Sequence, residues 1–132
     1  MKEVHLYTDG SARGNPGPGG YGLVLELPGS TYKKEHAEGF LHTTNNRMEL
    51  LAVIVGLELL KEVPVKVTVF TDSKYVCDAV EKKWIFRWER TGFKKQKNQD
   101  LWKRFLIVFR KHNVQIKWIK GHNQHPQNER CD

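Results

Sequence analysis

Two short runs of strand-forming residues end in the same way, and that likeness constrains the fold more than any other feature of the 132-residue chain. Val-His-Leu-Tyr-Thr-Asp ends at Asp9 and is followed by Gly10. Val-Lys-Val-Thr-Val-Phe-Thr-Asp ends at Asp72 and is followed by Ser73. Taken singly, Asp9 fits an Asp-Gly turn and Asp72 fits a helix cap. Taken together, they put an acid at the carboxyl end of two strands, the edge where sites form in α/β sheets. Two carboxylates on neighbouring parallel strands repel each other. A divalent cation between them removes the repulsion and gives a catalytic centre.

The rest of the chain supplies the frame for such a sheet. Residues 3–9 alternate apolar and polar, as a half-buried strand does. Asn15 to Gly20 reads as a turn-rich loop. Tyr21 to Leu27 and Thr31 to Leu41 read as strands around a Pro28-Gly29 turn, which makes an antiparallel meander. Thr43 to Asn46 offers helix caps, and Leu50, Val53, Ile54, Leu57 and Leu60 follow at helical spacing. Glu62 ends that helix and Pro64 stops it. Glu49 falls in its first turn, where the helix dipole favours an acid. Residues 65–71 form a fourth strand and residues 73–81 a short helix. Asn98 and Asp100 open another helix, and Val114 to Lys120 forms a fifth strand. Gly121 to Gln127 reads as a loop, and Gln127 to Asp132 as the first turn of a helix. The order β-β-β-α-β-α-α-α-β predicts a single α/β domain over residues 1–132. Strands one to three pair antiparallel, and strands one, four and five are joined in parallel by helical crossovers.

Charge is unevenly spread. The net charge is +7, yet residues 82–111 hold eleven basic and two acidic side chains, so the remainder is slightly acidic. Aromatics are interleaved with these cations. A basic protrusion at about 82–98 beside a neutral-to-acidic body suits a polyanion held by one part and processed by another. The other reading is a solvated helical surface rich in lysine. No run of about 18 apolar residues exists, so no membrane-spanning helix is expected. The two cysteines, Cys77 and Cys131, form no C-x-x-C pair, which argues against a zinc site or a disulfide scaffold. Reduced thiols in a cytoplasmic protein, with no secretory signal ahead of the first strand, are the simplest account.

Five blocks carry a family likeness. They are Thr8-Asp9-Gly10-Ser11, Gly14-Asn15-Pro16-Gly17-Pro18-Gly19-Gly20-Tyr21-Gly22, Thr44-Asn45-Asn46-Arg47-Met48-Glu49-Leu50, Thr71-Asp72-Ser73, and Gly121-His122-x-x-His125-Pro126-x-Asn128-Glu129-Arg130-Cys131-Asp132. In this order they resemble type 1 ribonuclease H over essentially the whole chain. The resemblance implies the ribonuclease H-like fold and cleavage of the RNA strand of RNA–DNA hybrids, including replication primers and R-loops. It assigns Asp9, Glu49, Asp72 and Asp132 as metal ligands. An all-carboxylate set suits Mg²⁺ or Mn²⁺. The family uses two ions, one activating the attacking water and one stabilising the leaving 3′ oxygen, and leaves a 5′ phosphate and a 3′ hydroxyl.

The same resemblance gives His122 a role in proton transfer or product departure. It places Asn15 and Asn45 at the minor groove and Thr44 in a pocket for a DNA phosphate. Lys74 stands where well-known bacterial relatives have glutamine, which keeps a polar contact and adds a charge. The lobe supplies Arg87, Trp88, Lys94, Lys95 and Lys97 for the DNA strand. Trp84 and Trp102 are expected to be partly core, whereas Trp88, between Arg87 and Arg90, is placed to touch a sugar or base. The enzyme is expected to act as a monomer. The helix that follows the last aspartate in relatives is not provided by this sequence. Two rival readings share the fold: a hybrid-binding module without catalysis, and a resolvase- or integrase-like metal nuclease. The complete set of acids opposes the first, and the basic lobe and Gly-His-x-x-His-Pro loop oppose the second.

Overall fold

The computed structural model describes residues 2–120. In chain order the elements are β1 (Glu3–Ala12), β2 (Gly17–Glu26), β3 (Lys33–Thr43), α1 (Asn45–Glu58), β4 (Lys66–Thr71), α2 (Lys74–Glu81), α3 (Trp84–Arg90), α4 (Gln99–Phe109) and β5 (Asn113–Trp118). The sheet order is β3-β2-β1-β4-β5. β1, β2 and β3 pair antiparallel, while β4 runs parallel to both β1 and β5. The expected mixed sheet is therefore present, and β1 lies beside β4.

Several boundaries differ from the sequence reading, β3 and β5 by one or two residues at each end and others by more. β1 does not end at Asp9 but runs on to Ala12, and β2 begins at Gly17, inside the expected loop. Ladder pairs Ser11–Gly20 and Ala12–Gly19 extend the hairpin through the glycine-rich run. The backbone hydrogen bond from Arg13 N to Pro18 O closes it at 2.7 Å. α1 stops at Glu58 with its cap at Leu59, a turn before Glu62. Its first residue is Asn45, so Glu49 stands at the start of the second turn rather than in the first. Asn98 precedes α4 in a left-handed conformation and makes no side-chain cap bond.

α1 is apolar nearly all round because it is enclosed. Leu50, Ala52, Val53, Ile54 and Leu57 are fully buried between the sheet and α4. Burying an aliphatic side chain of this size contributes about 1.5–3 kcal/mol. The helix also lies unusually close to β1. A Cβ on Gly56 would stand 2.6 Å from the Leu6 methyl carbons. Further along β1, a Cβ on Gly10 would stand 2.6 Å from the Met48 carbonyl carbon and 2.8 Å from the Glu49 amide nitrogen. Two glycines, one on each element, thus set the distance between helix and strand. Among the described residues no helix is long and apolar enough to cross a membrane.

Candidate active site

The parallel register of β1 and β4 decides where the acids meet. Tyr7 pairs with Phe70, and Asp9 and Asp72 lie two residues further along each chain. Asp9 is buried within β1. Asp72 stands in the joint between β4 and α2, outside both. Thr71 Oγ1 accepts the Ser73 amide at 3.0 Å, and Ser73 Oγ accepts the Val76 amide at 3.1 Å, capping α2. That capped joint fixes the backbone on either side of Asp72. Glu49 is brought in by α1, whose start rests on Gly10.

Electrostatics tie two of these acids together. The Glu49 carboxyl is pushed up to about 7, first by burial and then by the charge of Asp72, while a hydrogen bond to the Ser73 side chain pulls it down. Burial and a like charge both disfavour the ionised form. Asp9 also lines an open hollow of about 280 Å³ with Gly10, Ser11, Gly20, Tyr21 and Glu38. There the Tyr21 hydroxyl donates to Glu38. That bond holds the Glu38 carboxyl below its ordinary value.

The polar run before α1 is organised around the helix start. Thr44 is the N-cap, and its hydroxyl accepts the Arg47 amide at 3.2 Å. Asn15 Oδ1 accepts the Asn45 amide at 3.1 Å, and Asn45 Oδ1 accepts the Ala12 amide at 2.6 Å. The two asparagines therefore lash the β1–β2 hairpin to the helix. Both residues are exposed, and each side chain also carries an NH₂ donor. Arg47, which sequence reasoning left without a role, makes a bidentate pair with Asp100 at 3.0 and 2.7 Å and also donates to Asn98 Oδ1 at 3.1 Å. Asn98 Nδ2 and Trp102 Nε1 both donate to the Tyr75 hydroxyl, at 3.0 and 2.8 Å. This network joins α1, α2 and α4 beside the acids, and occupies the side chain that sequence reading assigned to capping α4.

The basic segment forms a groove. Lys74, Asp78, Trp84, Trp88, Lys95 and Lys97 line an open hollow of about 350 Å³ between α2, α3 and the loop that follows. The loop is pinned by Phe93, which is buried although Lys94 and Lys95 follow it. Lys94 and Arg87 are exposed but do not line the hollow. Trp102 is entirely buried, as expected of a core residue. Trp88 is more enclosed than expected. It packs edge-on to Trp102 at 5.6 Å and beside Trp84 at 6.5 Å, so only part of its ring faces the groove.

His122 and Asp132 lie outside the described residues. Among the described residues, no three acidic, histidine or cysteine side chains converge into a complete metal cage. Chemically, Asp9, Glu49 and Asp72 would offer oxygen donors only, and the Glu49 carboxyl is raised by burial and then by the charge of Asp72. A hard divalent cation fits that set. Residues that sequence reasoning missed are Arg47, Ser73, Tyr75 and Trp118. Only Arg47 and Ser73 lay within recognisable motifs.

The fold is a mixed α/β sheet flanked by helices, with Asp9 on β1, Asp72 just past the end of the adjacent parallel β4, and a basic, aromatic hollow beside α2 and α3. The family described as RNase H matches residues 1–132. Ribonuclease H of Desulforamulus reducens is 53% identical over 137 residues, covering 100% of this chain and 84% of that protein. LC9-RNase H1, a type 1 RNase H with the type 2 active-site motif, superposes with a TM-score of 0.87 at 31% identity, over 99% of this chain and 69% of its own. LC11-RNase H1, solved in complex with an RNA/DNA hybrid, gives a TM-score of 0.71 at 26% identity, over 96% and 91%. The chain belongs to the RNase H family and is an enzyme of that family.

Proposed function

We propose that this enzyme hydrolyses the RNA strand of RNA–DNA hybrids endonucleolytically, with Asp9, Glu49, Asp72 and Asp132 holding two Mg²⁺ or Mn²⁺ ions. The reading rests on the RNase H family match over residues 1–132 and on the parallel β1–β4 register, in which Asp9 and Asp72 each lie two residues beyond the paired Tyr7 and Phe70. Those four carboxylates would hold the ions, which when bound would supply an activated water and a counter-charge for the departing 3′ oxygen, so that a 5′ phosphate and a 3′ hydroxyl would be left. The protein's own residues do the rest. Gly10 and the Thr44 cap hold Glu49 in place, and the Ser73 joint holds Asp72. His122 takes or gives a proton at the leaving side. The side-chain amides of Asn15 and Asn45 offer donors to the shallow minor groove, where RNA differs from DNA by its 2′ hydroxyl.

The groove of Lys74, Trp84, Trp88, Lys95 and Lys97 takes the DNA strand, its lysines meeting phosphates and its indole edges meeting sugars. Arg87 and Lys94 extend the positive field without lining the groove. The hybrid in the LC11-RNase H1 complex supports this substrate. We place the activity in the cytoplasm, carried by a monomer that removes RNA from replication primers and R-loops. Incubation with an RNA–DNA hybrid, duplex RNA and duplex DNA, each with and without Mg²⁺, tests the reading. Cleavage of hybrid RNA alone, and only with metal, is the expected result. Equal cleavage of duplex DNA contradicts it.

A further inference from the structure

Trp118 ends β5 and leaves 41% of its surface exposed, so core packing does not account for it. Its indole Nε1–H donates to the main-chain carbonyl of Asp72 at 3.1 Å. On the same ring, the Lys74 ammonium lies 4.3 Å from the centroid. Lys74 is the first residue of α2, two positions beyond Asp72. The ring is therefore held from α2 while its N–H reaches the joint that carries the acid. Ladder pairing of Trp118 with Thr71 and the bond from Ile119 N to Thr71 O at 2.9 Å anchor the other side.

We propose that Trp118 is a positioning residue for Asp72: its indole N–H fixes the Asp72–Ser73 peptide, and so the direction of the Asp72 carboxylate and its affinity for a divalent cation. An aspartate side chain has only two torsions, so the orientation of its own backbone decides where its oxygens stand. Thr71 and Ser73 hold the joint through side-chain bonds from within β4 and α2. Trp118 holds it from the neighbouring strand through a side-chain bond, beside the backbone bond from Ile119 to Thr71. Lys74 keeps the ring seated by a cation–π contact. The proposal rests on Asp72 being a metal ligand.

Trp118→Phe keeps an aromatic ring under Lys74 and removes the N–H along with part of the ring. Mg²⁺ binding is followed by calorimetry and by backbone amide resonances of Asp9 and Asp72. The expected result is a Mg²⁺ midpoint raised about threefold or more, within the range that one hydrogen bond supports. The hybrid KM at saturating Mg²⁺ stays unchanged. Equal midpoints overturn the proposal, and so does a KM rise with equal midpoints, which would make Trp118 a substrate contact. A second measurement uses the unaltered side chain. The Trp118 indole N–H resonance should move when Mg²⁺ is added to the wild-type protein and stay fixed in Asp72→Asn. An indole signal that is still while the Asp9 and Asp72 amides move overturns the proposal even if Trp118→Phe does not fold. A wild-type protein that binds no Mg²⁺ defeats the reading of the site itself, whereas wild-type binding matched by Trp118→Phe defeats the positioning role alone.

Discussion

Gly10 of β1 and Glu49 of α1 touch through their backbones, leaving no room for a side chain at residue 10. A Cβ there would stand 2.8 Å from the Glu49 amide nitrogen and 2.7 Å from the Met48 carbonyl oxygen. Backbone atoms cannot step aside as a flexible side chain can. Gly10→Ala must therefore push the start of α1 away from β1 and carry Glu49 away from Asp72. Overpacking of this kind costs roughly 1–3 kcal/mol of stability. A displacement of the carboxylate should cost tenfold or more in turnover, about 1.4 kcal/mol of barrier. Thermal melts and hybrid cleavage at saturating Mg²⁺ check both effects, and full activity in Gly10→Ala contradicts the contact.

Glu49 makes the metal-free protein sensitive to alkali. Its carboxyl is pushed up to about 7, chiefly by burial and then by Asp72. A folded-state pKa above the unfolded value means that the folded chain holds the proton more tightly. That contribution is complete below the ordinary carboxylate range and is lost as pH rises through about 7. Glu49→Gln should therefore melt higher than wild type at about pH 8 without metal, and the gap should narrow as pH falls and close below about pH 4. Mg²⁺ competes with the same proton, so it should narrow the gap at the higher pH. A gap independent of both pH and Mg²⁺ contradicts the assignment.

His112 pulls the other way. Its Nδ1 accepts the Val65 amide at 3.0 Å, which requires the neutral ring, and burial followed by the charge of Lys111 lowers its pKa. Stability from this bond is present above the ordinary histidine pKa and is lost as pH falls through the lowered folded value. His112→Phe leaves the Val65 N–H unpaired and should cost about 1–3 kcal/mol at neutral pH. The acid-side slope of the melting temperature should flatten in that variant, and an unchanged slope would assign it to another group.

The lysines of the basic loop are not equivalent. Lys95 and Lys97 line the groove with Lys74, while Lys94 does not. Reversal of Lys95 and Lys97 to Glu should raise KM for the hybrid and flatten its salt dependence, with turnover little changed. Lys94→Glu alone should act more weakly, through the general field. KM measured across a salt series separates the two, and equal effects of the two variants contradict the groove.

Much of the sheet is legible because strand periodicity and valine-rich runs are local signals, whereas the Asp-Gly pair does not mark the end of β1. The order of helices and strands then left few topologies for a right-handed crossover. Boundaries were less legible. The glycine-rich run from Asn15 to Gly20 reads as a loop, yet its backbone pairs with Ser11 and Ala12 across the hairpin. Glu49 was found by motif, but its contact with Gly10 is a tertiary fact with no sequence period. The charged neighbours of Trp88 predict a ring open to a sugar or base, whereas it packs against Trp102, fourteen residues on. Arg47–Asp100 and Trp118–Asp72 join residues 53 and 46 positions apart, a separation that no local pattern encodes.

The central claim is that Asp72 holds catalytic metal while the basic groove holds the hybrid. Asp72→Asn removes the ligand charge and leaves the groove intact. At saturating Mg²⁺, its hybrid cleavage rate should fall far below a tenth of wild type, with hybrid affinity preserved. Retention of more than about a tenth of the rate, a loss under ~1.4 kcal/mol of barrier, would contradict the claim.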